Sequence, residues 1–186
     1  MTPDGLNRIA LALAVISPLV PAAASAQPKP PANPAAQATL LGQYGDWGAY
    51  SAAPGGHKVC FALAKPVSSQ DNPPNRRTAA NVVYLFVSTR PEEKVSNEVS
   101  VLVTGYAFKP NSEANVTAAG SGFAMYTQND GAWVKNAAEE TKLIDAMRKG
   151  SDVVIKATTS RGTQTIDTFS LKGVSQALDR ASQECK

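Results

Sequence analysis

Few side chains in this sequence can do chemistry, and their spacing limits what that chemistry is. His57 is the only histidine and stands three residues before Cys60. In a strand that offset points the two side chains to opposite faces, which disfavours an imidazole-activated thiolate. Serine nucleophiles lack a Gly-x-Ser-x-Gly elbow, and His57 would be their sole imidazole. The adjacent carboxylates Glu92-Glu93 and Glu139-Glu140 are neighbours in sequence, whereas glycoside cleavage needs two carboxyls facing each other across a sugar. Zinc would need a carboxylate-heavy ligand set with no local spacing to support it, and no loop of clustered aspartates suits calcium. The expectation is a non-enzyme with no catalytic residues, no metal and no cofactor; a hydrolase ranks last among the readings.

Binding chemistry has more to work with. Trp47 and Trp133 could line a cleft and stack on sugars or apolar groups, although large aromatics more commonly anchor a core. Arg76-Arg77 is the densest positive spot, set among Asp71-Asn72-Pro73-Pro74-Asn75, which reads as an exposed loop. The loop Pro66 to Thr78 and the stretch Lys109 to Ser112 are therefore candidate contact surfaces. The net charge of +3 is spread along the chain without interleaved aromatics, which argues against nucleic acid.

The elements that must position these residues begin after a leader. An apolar run from Ile9 to Val20 is too short to span a bilayer, and Ala24-Ser25-Ala26 is a small-x-small cleavage site. Residues 1–26 read as a signal peptide cut near Ala26, and 27–40 as a Pro/Ala-rich disordered spacer. Residues 41–186 suffice for one domain, with no membrane-spanning segment. In an oxidising compartment the two cysteines, Cys60 and Cys185, pair by default; two free thiols are the alternative.

Within that domain many short strands joined by turns predict a mainly β fold, a jelly-roll-like β-sandwich with two short helices, one of them C-terminal. Val82 to Val87 is apolar on both faces, and Val99, Val101 and Val103 alternate with Ser100, Leu102 and Thr104. Further strands are expected over Trp47–Ala52, His57–Lys65, Ala114–Ala118 and Phe123–Thr127. Val153–Thr158 and Thr165–Phe169 should form a hairpin around Gly162. The first helix starts at the N-cap Asn136, with Glu139 placed to bond back, and ends at Gly150 in a left-handed conformation. Asp145 is placed to pair with Lys149. In the second helix Val174, Ala177, Leu178, Ala181 and Cys185 share one face. Cys60, Ala62 and Ala64 form the small face of a strand on which that helix can dock, with Val59, Phe61 and Leu63 turned into the sheet core.

Several segments resemble the invasion-associated locus B family of exported alphaproteobacterial proteins. They are Gly45-Asp46-Trp47, Lys58-Val59-Cys60, Met147-Arg148-Lys149-Gly150, Ser170-Leu171-Lys172-Gly173 and Ala177-Leu178-Asp179, in the expected order across nearly the whole mature domain. The resemblance implies a β-sandwich, a periplasmic or secreted location and a role in interaction with host cells. Many relatives carry a further cysteine shortly after the Asp-Trp pair, where this chain has Ser51. The leading functional reading is an interaction protein with an unidentified protein partner in the envelope or host. The alternative is a periplasmic module that takes a small ligand or glycan in a cleft near Trp133.

Overall fold

The computed structural model describes residues 38–186; the expected leader and all but the end of the expected spacer lie outside them. The strands are β1 (Thr39–Tyr44), β2 (Trp47–Ala52), β3 (Val59–Ala64), β4 (Ser68–Asn72), β5 (Val83–Arg90), β6 (Val95–Val103), β7 (Glu113–Ala118), β8 (Ser121–Gln128), β9 (Gly131–Val134), β10 (Asp152–Thr158) and β11 (Gln164–Ser170). The helices are α1 (Ala137–Lys149) and α2 (Val174–Glu184). All strands belong to one antiparallel sheet in the order β1-β2-β3-β5-β6-β9-β8-β7-β10-β11-β4.

Alternation decides which side of the sheet each residue takes. Ala62, Val87, Val99, Val101, Val116, Val153 and Phe169 face inward and are almost fully buried. The sheet curls as it twists, so that β2 near one end touches the exit of β11 near the other: the Trp47 indole donates to the Ser170 carbonyl at 2.8 Å. A mainly β fold with a C-terminal helix is thus observed, as one continuous curled sheet compatible with two-layer packing. α2 packs on β1, β2, β3 and β5, and α1 on β6 to β9. Trp47 is fully buried, a core anchor and not a cleft wall.

The α2 stripe is buried as its spacing requires, and Cys185 is bonded to Cys60 with a Cα–Cα distance of 5.8 Å. Beneath it, Cys60, Ala62 and Ala64 leave room for the helix. The bulky side of β3 does not enter the core: Phe61 and Leu63 point to the opposite, helix-free face, because the small side is the one turned inward. At α1, Asn136 caps the Glu139 amide at 3.0 Å, worth about 1 kcal/mol. Glu139 bonds Lys142 instead of closing the reciprocal cap. Gly150 is extended (φ −86°, ψ 171°), not left-handed, because the chain passes directly into β10. The pair expected between Asp145 and Lys149 is absent among the described residues; Arg148 reaches across to Asp179 of α2.

Three strands lay hidden in the sequence. β4 occupies part of the segment read as a mobile loop, β1 begins inside the expected spacer, and β9 is only four residues long. Polar Ser68–Asn72 is an edge strand paired with β11, where water can solvate its outer side. Gly162 (φ 84°) turns the β10–β11 hairpin as expected. The segments Gly45-Asp46-Trp47 and Lys172-Gly173 meet: the Asp46 amide donates to the Lys172 carbonyl at 3.0 Å. A Cβ on Gly173 (φ 91°) would lie 1.9 Å from the Tyr44 carbonyl oxygen, so this crossing requires glycine.

Candidate functional site: an aromatic cleft on the outer face of the sheet

The outer face of a curled sheet ordinarily meets water and is polar. Here it carries two cross-strand rows. One runs Leu63, Phe86, Ser100, Trp133, Tyr126 over β3, β5, β6, β9 and β8. The other runs Tyr50, Phe61, Ser88, Glu98 over β2, β3, β5 and β6. Tyr50 stacks on Phe61 with centroids 5.3 Å apart, Phe61 tilts against Phe86 at 5.5 Å, and Tyr126 stacks on Trp133 at 5.7 Å. Each contact contributes about 0.5–1.5 kcal/mol beyond area burial.

A hollow forms because serine interrupts both rows. Ser100 sits between Phe86 and Trp133, and Ser88 beside Phe61, so neither position fills the space its aromatic neighbours flank. The result is a cleft of about 370 Å³ with Phe61, Phe86, Leu102 and Trp133 as its apolar surface and two hydroxyls in its floor. Phe61 and Phe86 are only 3% and 8% exposed although no helix covers this face, so the walls shelter the floor.

The rim comes from two strand connections. His57, between β2 and β3, meets Glu92 of the β5–β6 turn, Nδ1 to Oε2, at 2.5 Å. The hydrogen bond that His57 donates to Glu92, then the charge of that carboxylate, raises the His57 pKa, and the same bond holds Glu92 below the ordinary carboxylate value. This rim contact is strongest below the ordinary histidine range and fades as pH rises through the raised value. Burial lowers the Arg90 pKa, but hydrogen bonds to Glu98 and Glu93 outweigh it and the net direction is up. Arg90 also donates to the Ser88 hydroxyl at 3.2 Å. Glu92, Glu93 and Glu98 therefore face His57, Arg90 and Lys58, and Lys58 is shared with Glu184 of α2. The rim is acidic where His57 is neutral and balanced where it is protonated.

Trp133 is held by what lies under it. Its indole leans back over Gly131, where an added Cβ would meet Cη2 at 2.0 Å. Tyr50 over Gly48 and Tyr44 over Gly42 repeat the arrangement, a glycine covered by the ring two residues on. Gly131→Ala is expected to swing the indole off the strand at a cost of about 1–3 kcal/mol. Acrylamide quenching measures it, since Trp47 is inaccessible; unchanged quenching would mean the indole is not seated on Gly131.

The sequence candidates fall in different places. Trp133 lines the cleft, half-buried. Arg76 is exposed at the far end of the sheet. Arg77, expected to share that loop surface, is turned inward onto Asp71 and Asp167. The structure does not bring Trp133 and the two arginines into one cleft. Phe61, Phe86, Ser88 and Ser100 were missed as site residues; the aromatic–serine alternation in β5 was the available signal. No group of three or more His, Cys, Asp or Glu able to hold a metal exists among the described residues. No helix there is long and apolar enough to cross a membrane.

Fold and cleft together define a mainly β protein, fastened by one disulfide to its terminal helix, with an apolar cleft on the outer face of its sheet. The chain belongs to the invasion associated locus B (IalB) protein family, whose model matches residues 47–182. No curated protein and no solved structure matches it. Three of the five sequence pieces that resemble this family join sheet to terminal helix: the turn before Trp47, the Cys60 strand, and Lys172-Gly173.

Proposed function

We propose that this chain is an exported, non-enzymatic interaction protein of the cell envelope or host interface, and that the aromatic cleft is its binding surface. In this reading residues 1–26 are removed, residues near 27–40 are a spacer, and the remainder works as one domain in the periplasm or outside the cell. The observation that carries the binding surface is an apolar cleft on a sheet face that no helix covers. The floor takes an apolar side chain of a protein partner, and the rim, acidic where His57 is neutral, favours basic residues beside it. The family membership and the disulfide support export. A small apolar ligand is the second reading, favoured by a volume within the range of small-molecule sites.

Ser100→Leu tests the site, because a larger side chain fills the hollow from its floor while leaving the inward-facing valines of β6 untouched. Titration of Trp133 fluorescence with Arg-Phe-Arg and Glu-Phe-Glu peptides, at a pH above the raised His57 value, should show at least 10-fold tighter binding of the basic peptide. Ser100→Leu should lose at least 10-fold, or about 1.4 kcal/mol. Equal binding of the two peptides sinks the partner class, and wild-type affinity in Ser100→Leu sinks the site. A panel of cell-wall fragments gives the second reading its own chance: quenching by a fragment but by neither peptide favours a small ligand.

A further inference from the structure

At the opposite end of the sheet three segments converge: the stretch following β4, the loop between β6 and β7, and the β10–β11 hairpin. They enclose a second cleft of about 450 Å³. Its charged lining is Arg76, Arg77 and Arg161, with no carboxylate among the lining residues. Arg77 is neutralised from beneath by Asp71 and Asp167. Arg76 and Arg161 are exposed, and neither enters an ion pair among the described residues. Counting the cluster beneath, three guanidiniums stand over two carboxylates, so the cleft is net positive.

The backbone around these two side chains is fixed. The Arg76 amide donates to Asp71 Oδ2 at 3.0 Å. The Arg161 hairpin is closed by the Thr159 amide on the Thr163 carbonyl at 2.8 Å and by the Thr163 amide on the Thr159 hydroxyl at 3.2 Å. Ser160 is tied to the Ala107 carbonyl at 2.8 Å, which fastens the hairpin to the loop that carries Tyr106. Tyr106 lines the same cleft beside Arg77, its ring centroid 6.0 Å from the guanidinium carbon and its hydroxyl buried.

We infer that this cleft binds a compact phosphate-type dianion, held between the Arg76 and Arg161 guanidiniums. Planar guanidinium forks match the oxygens of a tetrahedral oxyanion, and two of them line this cleft from different segments. Free phosphate and a small phosphate monoester share this chemistry. The site shares no residue with the aromatic cleft, so either can fail without the other.

The test follows the backbone amides of Gly105 and Gly162, both in the cleft lining, in 15N–1H spectra of the purified protein. Sodium phosphate, glycerol 3-phosphate and glycerol are titrated in turn, with sodium chloride holding ionic strength constant. Phosphate or its ester should shift both amides saturably, and glycerol should not. Arg76→Gln with Arg161→Gln should weaken the apparent affinity at least 10-fold while leaving the rest of the spectrum in place. Saturation by both anions shows that the free ion suffices; saturation by the ester alone assigns a monoester. No saturable shift with either, or an unchanged titration in the double variant, overturns the site.

Discussion

Cys60→Ala combined with Cys185→Ala is expected to lower the unfolding free energy by about 4–5 kcal/mol in the chain-entropy model. The reason is the length of chain that the bond closes, 125 residues in sequence separation, which removes a large share of the unfolded chain's freedom. The loss should be global in equilibrium unfolding and local in exchange. α2 buries Val174, Ala177, Leu178 and Ala181 against β2 and β3, so the helix should stay docked in the variant but open more often. Urea unfolding by circular dichroism measures the first effect, and amide exchange over 174–184 the second. A reduced wild type should reproduce the variant. A loss below about 1 kcal/mol would mean that the apolar stripe, not the bond, holds the sheet and helix together.

The same helix shows why part of this architecture was legible. The i, i+3, i+4 spacing from Val174 to Cys185 and the small residues at 60, 62 and 64 describe two complementary surfaces, and each can be read within its own segment. Trp47, the β10–β11 hairpin and the Asn136 cap are also local signals. The cleft is different in kind. Ser88 and Ser100 lie 12 positions apart in separate strands and read as ordinary polar residues of a half-buried sheet. They make a hollow only because the register sets them beside Phe61, Phe86 and Trp133. Likewise, the apolar side of β3 read as core because bulk ordinarily goes inward. Docking of a helix reversed that, by requiring the alanine face inside.

Arg77 is the clearest case of a residue whose role could not be seen locally, and it carries the other large prediction. In sequence it stands beside Arg76 as half of an exposed basic pair. In the fold its Nε donates to Asp71 Oδ1 at 2.6 Å, its Nη1 to both Asp167 oxygens at 2.9 Å, and its Nη2 to the Gln70 carbonyl at 3.1 Å. Ser69 donates to Asp167 at 2.6 Å, and the amides of Arg76 and Arg77 bind Asp71 Oδ2 at 3.0 and 2.7 Å. The three side chains are 9%, 7% and 4% exposed. β4, β11 and the chain that follows β4 are joined through this one guanidinium, 90 residues from its second carboxylate.

Arg77→Met should therefore cost about 3–5 kcal/mol, because it strands two buried carboxylates side by side. Arg76→Met should cost less than about 0.5 kcal/mol, as an exposed side chain without a partner in the fold. Adding Asp71→Asn and Asp167→Asn to Arg77→Met should recover part of the loss, since no buried charge is then left unpaired. Acid gives the sign an independent check. Burial alone would push the Asp71 carboxyl up, but hydrogen bonds from the Arg77 amide and guanidinium outweigh it and hold the group below its ordinary value. That stabilisation is fully present above the unfolded carboxylate value and is lost as pH falls through the folded one. In Arg77→Met the Asp71 carboxyl loses the guanidinium's hydrogen bond and charge, burial pushes it upward, and protonation relieves it. The gap between wild type and Arg77→Met in urea unfolding should consequently narrow as pH drops from 7 toward 4. A gap that stays constant or widens would show that the guanidinium holds this end of the sheet by packing and not by charge.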